Sequence, residues 1–232
     1  MKRQFLKLLS IAALGVTLIA CGASTPTKEA ASSAPAKSDK RVIAMVGDSI
    51  TFDGGDSNEW AWIHRLRKEL GDKYDVRNYG VNGATALKQS DKPYWQQKAY
   101  TDAMTSQPDV VFIMLGTNDS KDHNWKGAET YKADYYELVD GFQSLPSKPK
   151  VYIGLNPPAF SREWSINGEV IENEIHPAVK DISYQTSTEI VDYYSLLKDK
   201  KEMFPDGIHP NYDGGNLMVN KTAEVIRNHF NK

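Results

Sequence analysis

Four apolar runs constrain the fold of this chain more than any other feature: Val42 to Val46, Val110 to Leu115, Val151 to Leu155 and Ile190 to Tyr193. Each is near-continuous rather than alternating, so both faces of such a strand must be buried. Helical patterns lie between them. The stretch "DSNEWAWIHRLRKELG" places Asp56 and Glu59 at capping-box spacing, carries Ile63, Leu66 and Leu70 on one face, and closes at Gly71. Further helices are expected over 131–144 and 169–187, and a last one over 214–231 with Met218, Thr222, Val225 and Ile226 on one side. Tyr74 to Tyr79 is shorter of apolar residues and reads as an edge strand. Buried strands alternating with helices predict an α/β fold, a three-layer α/β/α sandwich with about five parallel strands.

The first twenty residues stand apart. Lys2, Arg3 and Lys7 form a basic start, Leu8 to Ala20 is almost wholly apolar, and Cys21 follows at once. This is the pattern of a secretory signal, too short to span a membrane. The residues "LIAC" resemble the lipobox of bacterial lipoproteins. That resemblance implies cleavage before Cys21, lipidation of its thiol, and a membrane as partner through the attached acyl chains. Residues 21–40, rich in Ala, Ser, Pro and Lys, read as a flexible tether. Gly22, not Asp, follows the cysteine; by resemblance to lipoprotein sorting in two-membrane bacteria this favours the outer membrane, with the protein facing away from the cytoplasm. Cys21 is the only cysteine, so no disulfide is expected in the domain. Residues 41–232 suit one domain with a core of its own. Loss of residues 1–20 takes the formal charge from −2 to −5. A mildly acidic surface without basic clusters argues against a nucleic-acid partner.

In open parallel sheets, ligands sit beyond the carboxyl ends of the strands. There the first strand ends in Gly47-Asp48-Ser49-Ile50, and the second runs into "NYGVNGAT", Asn78 to Thr85. The third ends in Gly116-Thr117-Asn118-Asp119, and the loop before the last helix holds Asp206-Gly207-Ile208-His209. Each alone reads as a turn or a cap. Together they supply one chemistry. A serine hydroxyl needs a base during attack, which His209 provides for Ser49. Asp206 takes the proton on the other imidazole nitrogen and fixes the ring. The backbone N–H groups of Ser49 and Gly83 and the side-chain amide of Asn118 are candidate donors to a tetrahedral oxyanion. Gly80 competes with Gly83 for the glycine role.

Taken in order, these blocks resemble the SGNH hydrolases, also called GDSL esterases. The Ser block is matched by Ser49, the Gly block by Gly83, the Asn block by Asn118, and the His block by Asp206 and His209, over about residue 41 to 230; the resemblance favours Gly83 over Gly80, because Gly83 follows an Asn-x-Gly-x-x lead-in as in the family. Ile50 stands where the family name has leucine. The resemblance implies a flavodoxin-like sheet and metal-free ester hydrolysis through an acyl-serine, with no cofactor. Two rival frames fail: Thr51 occupies the second glycine of a Gly-x-Ser-x-Gly elbow, and a dinucleotide reading of "GVNGAT" fails because Gly-x-Gly-x-x-Gly is absent.

Of the other histidines, His64 and His229 read as surface or packing residues and His176 as structural; no spacing suggests a metal site. His123 and Trp125, just past Asn118, and Trp164, after the fourth strand, are candidate substrate-binding residues. Aromatic faces on a polar rim suit stacking against sugar rings, a pattern that resembles the bacterial carbohydrate O-acetylesterases among SGNH hydrolases. The expected function is a serine esterase removing short acyl groups, acetyl first, from a glycan. The alternatives are a lysophospholipase or thioesterase for longer chains, an acyltransferase between envelope sugars, and a non-catalytic carbohydrate-binding lipoprotein.

Overall fold

The computed structural model describes residues 39–231, so the expected leader, Cys21 and nearly all of the tether lie outside the described residues. Five strands form one sheet: β1 (Arg41–Gly47), β2 (Tyr74–Gly80), β3 (Val110–Met114), β4 (Lys150–Leu155) and β5 (Glu189–Asp192). Their order is β2-β1-β3-β4-β5, and every neighbouring pair is parallel. The polar strand β2 lies at one edge, as its composition predicts. In chain order the helices are α1 (Ser49–Phe52), α2 (Trp62–Leu70), α3 (Lys98–Thr105), α4 (Ala128–Gln143), α5 (Gly168–Val170), α6 (His176–Thr186), α7 (Tyr193–Leu197) and α8 (Tyr212–Phe230).

Successive strand side chains point to opposite faces, and both faces are apolar. Ala44, Val46, Val111, Ile113, Val151 and Ile153 join one core with residues of α3, α4 and α6. Ile43, Met45, Val110, Phe112 and Tyr152 join the other with residues of α2, α7 and α8. This two-sided burial is the reason the strands read as unbroken apolar runs. Among the described residues no helix is long and apolar enough to cross a membrane.

Two expectations need correction. Helix α2 starts at Trp62, not near Asp56, and no side chain of the expected box caps it. The carboxylate of Asp53 accepts the N–H of Trp62 at 2.8 Å instead, while Asp56 pairs with Arg67 at 2.6 Å. The close at Gly71 holds, with φ at 76° where a side chain is disfavoured. Helix α3 was not expected: of its eight residues only Ala103 is buried, so its sequence carries no stripe to read. The helix expected over 169–187 runs from Gly168 to Thr186 but widens into a π turn over Ile171–Ile175. Pro177 follows at the start of α6 and has no N–H to give the preceding turn, which favours such a local widening.

Candidate active site

Strand β1 stops at Gly47 because the chain must turn tightly there. A Cβ on Gly47 would meet Thr51 Oγ1 at 2.1 Å and the Met114 carbonyl at 2.7 Å. Asp48 then caps α1, its Oδ1 accepting the N–H of Ile50 at 2.9 Å. Ser49 is thereby the first residue of a helix, where N–H groups have no acceptor within the helix. Three contacts fix this turn. Val81 donates to the Gly47 carbonyl at 2.9 Å, the indole of Trp62 donates to the Ile50 carbonyl at 2.7 Å, and Gly80 packs directly on Phe52.

The Ser49 hydroxyl meets Nε2 of His209 at 2.8 Å, across 160 positions of sequence. Nδ1 of the same ring lies 2.7 Å from Oδ2 of Asp206. A carboxylate only accepts, so Nδ1 carries the proton and Nε2 is left to accept from the serine. The other Asp206 oxygen, Oδ1, accepts the N–H groups of Ile208 at 2.8 Å and His209 at 2.7 Å. Burial alone pushes the Asp206 carboxyl up; the His209 N–H, its imidazole and the Ile208 N–H outweigh that and hold it below the usual carboxylate range. The loop after β4 braces this turn from outside. Phe160 donates to the Gly207 carbonyl at 2.7 Å, and Ser161 Oγ to the Asp206 carbonyl at 2.9 Å.

Asn118 follows β3 and is almost wholly buried. Its Nδ2 donates to the Ala84 carbonyl at 3.2 Å, which uses one of two amide hydrogens. Its neighbour Asp119 accepts the N–H groups of Ala86 at 3.1 Å and Leu87 at 2.8 Å. The two residues stitch the loop after β2 to the end of β3, and so fix Gly83 relative to Asn118. The two glycines differ in their surroundings. Gly80 is packed against the backbone of α1 and does not line the cavity, whereas Gly83 lines it with φ at 78°.

These groups share a cavity of about 600 Å³ lined by Ser49, Phe52, Asp53, Gly54, Asn82, Gly83, Asn118, Lys121, Trp164, Ile166 and His209. Trp164 stands edge-on to the His209 ring at 5.5 Å. Trp164 and Ser165 both hold left-handed backbone, with φ at 53° and 64°. Such strain persists only where neighbours enforce it. Here the N–H groups of Ser165 and Ile166 bond back to Arg162 and Glu163, and Arg162 pairs with Asp122 at 2.9 Å.

The structure does not bring the other two expected substrate contacts to the cavity, which is a correction to their reading. His123 is exposed and bonded to Asp91 at 3.1 Å. Trp125 turns back, donates its indole N–H to Glu174 at 3.1 Å and packs on Tyr131 at 5.8 Å. Closeness to Asn118 in sequence misled, because the turn after Asn118 carries these rings away. In their place stand Phe52, Asp53, Lys121 and Ile166, which no motif marked. The Lys121 side chain is only 12% exposed and lies 3.8 Å from Asp91. His176 is buried and hydrogen-bonded to the Asn156 carbonyl, in line with a structural role. Among the described residues no cluster of three or more His, Cys, Asp or Glu is placed to hold a metal ion.

Comparison with known proteins follows the same lines. The chain is 34% identical over 211 residues to an acetylxylan esterase of Xylanibacter ruminicola, an alignment covering 82% of this chain and 44% of that enzyme. It thus spans under half the length of that relative. Among solved structures, it resembles an acetyl xylan esterase (TM-score 0.65, 20% identity, 80% of this chain and 99% of the other). It also resembles a carbohydrate acetylesterase from Sinorhizobium meliloti (TM-score 0.63, 19% identity, 81% and 98%). At these identities the structures establish the shared fold. The sequence model of the GDSL-like lipase/acylhydrolase family matches residues 45–216, a span that takes in Ser49, Gly83, Asn118, Asp206 and His209 alike. With well over half of its length so matched, the chain belongs to the GDSL-like lipase/acylhydrolase family.

Proposed function

We propose that this protein is a serine esterase that removes short acyl groups, acetyl first among them, from a carbohydrate. We further propose that it acts at the bacterial cell envelope, held there by lipid on Cys21. The observation that carries the catalytic reading is the relay from Ser49 through His209 to Asp206, opening on a cavity that also holds Gly83 and Asn118. The acetylxylan esterase relative supports the choice of acyl group and of substrate class.

The chemistry follows from the positions. Ser49 Oγ attacks the ester carbonyl while its proton passes to His209 Nε2. The imidazolium so formed is stabilised by Asp206, already a carboxylate at neutral pH. The negative charge that grows on the carbonyl oxygen is met by the N–H groups of Ser49 and Gly83 and by the second amide hydrogen of Asn118. Collapse returns the proton to the leaving sugar oxygen and leaves an acyl-serine, which water attacks by the same route in reverse.

The decisive experiment measures acetate release from acetylated xylan by the parent and by Ser49→Ala. A loss of at least about 10³-fold with native circular dichroism is expected. Release that survives the substitution overturns the reading. A series of 4-nitrophenyl esters tests the acyl group: rates that climb steadily from acetate to decanoate would favour a long-chain lipase instead.

A further inference from the structure

A second hollow opens beside the catalytic cavity. It measures about 160 Å³ and is lined by Asp53, Asn58, Trp60, Arg65, Pro210, Asn211 and Tyr212. Asp53 lines both spaces, and Pro210 to Tyr212 continue the chain directly from His209. The hollow therefore leads away from the ester site along the same rim of the sheet.

Its aromatic side chains are held open. Trp60 is 73% exposed and Tyr212 49% exposed, and their rings meet edge to face at 5.8 Å. The rings touch each other and the Arg65 guanidinium, and polar groups brace the backbone that carries them. The Arg65 guanidinium lies over the Tyr212 ring, 4.1 Å from its centre. It also donates to the carbonyls of Trp60 and Tyr212, each at 3.0 Å, and to the side-chain oxygen of Asn216. Asn58 accepts the Trp60 N–H at 3.1 Å and donates to the Asp53 carbonyl at 2.8 Å. One arginine thus ties the loop before α2 to the first turn of α8. Leaving an aromatic side chain in water forgoes about 2–3 kcal/mol of burial, and fixed, exposed rings in a polar rim mark a ligand surface.

The ligand is indicated by the lining. A fatty chain needs a closed apolar channel, whereas this hollow mixes two aromatic rings with two charged and two amide side chains. A pyranose ring fits that mixture. It offers a face of C–H groups to an indole and a girdle of hydroxyls to hydrogen-bonding side chains. Asn211 caps α8 with its amide oxygen, accepting from Asp213 and Gly214 at 3.1 Å each, which leaves its amide hydrogens to donate. We propose that the hollow is a sugar subsite, seating the pyranose that neighbours the acylated one along a glycan chain. The proposal rests on the carbohydrate esterase reading and adds to it a preference for oligomeric over single-sugar substrates.

The test titrates the Ser49→Ala protein with unacetylated oligosaccharides of xylose, mannose, glucose and N-acetylglucosamine, in Trp60, Trp60→Ala, Trp60→Phe and Tyr212→Ala forms. Binding to one series is expected, weakened about fivefold or more by Trp60→Ala and regained by Trp60→Phe. In proteins with Ser49 intact, the ratio of kcat/KM on the acetylated form of that oligosaccharide to kcat/KM on 4-nitrophenyl acetate should fall by a similar factor. No binding to any series overturns the subsite, as does an affinity and a ratio that both stay within twofold in Trp60→Ala and Tyr212→Ala. Those failures leave the esterase reading standing if Ser49→Ala abolishes acetate release; retained release overturns that reading itself.

Discussion

At Gly80 an added Cβ would lie 2.3 Å from the amide nitrogen of Phe52, whereas at Gly83 the nearest atom is the flexible Lys92 Cδ at 3.6 Å. The first glycine is required by space and the second by backbone, with φ at 78°. Gly80→Ala should therefore displace the turn that carries Ser49 and lower both stability and kcat. Gly83→Ala should fold, at a strain of order 1–3 kcal/mol. Urea denaturation of both variants, compared with their esterase rates, checks the contrast; equal losses would contradict it. Sequence alone preferred Gly83 but could not show why Gly80 must be glycine, because Phe52, the neighbour it packs on, sits on another segment. Two buried carboxyls beneath the site carry a pH signature. Burial pushes Asp48 up from 3.8 to about 6 and Asp119 up to about 7, the charge of Asp48 adding to the latter. A carboxyl that holds its proton more tightly when folded adds stability at low pH and loses it as the pH rises through the folded value. The parent should lose that contribution between about pH 4 and 7. Asp119→Asn should flatten this part of the profile, measured by urea unfolding at a series of pH values. It should also cost about 1–3 kcal/mol throughout, since an amide replaces one of two accepting oxygens. An unchanged slope would rule out Asp119 as its source.

The elements were legible in proportion to how much they bury. β1, β3 and β4 stood out as apolar runs because both faces of each are covered, and α8 stood out because a long stripe meets α2 and the sheet. α3 was invisible with one buried residue, and the start of α2 was misplaced because Asp56 and Glu59 mimic a cap that Asp53 supplies from further back. The four residue blocks could be found because each is a short local pattern at a strand end. Most of the cavity wall could not, since Phe52, Asp53, Lys121 and Ile166 converge only through the fold; of the three aromatic or imidazole contacts expected there, Trp164 alone lines it. Helix α4 illustrates how an element supports the site from behind. Tyr131 and Tyr135 are fully buried on it, yet their hydroxyls donate to the carbonyls of Leu115 and Ile113, each at 3.0 Å. These carbonyls lead into the Gly116–Asn118 turn. Tyr131→Phe removes the donor and leaves the Leu115 carbonyl buried without it, so a destabilisation of about 1–3 kcal/mol is expected. Chemical denaturation measures it, and a loss below a few tenths of a kcal/mol would show that the bond contributes little.

On the scale of the whole chain, residues 1–21 place an expected lipid anchor ahead of a domain that carries its own two-sided core. Mass spectrometry of protein extracted from bacterial membranes should find the chain starting at an acylated Cys21, and Cys21→Ser should move it out of the membrane fraction. A free thiol at Cys21 in that fraction would end the anchoring proposal. The proposed nucleophile opens the short helix that follows the first strand, while its proposed base belongs to the last loop before the final helix. A fragment ending short of residue 206 would own the hydroxyl, the amide groups and all five strands, and still lack the imidazole that meets Ser49. Regained turnover during refolding consequently times the docking of the C-terminal segment, whatever the sheet has accomplished by then.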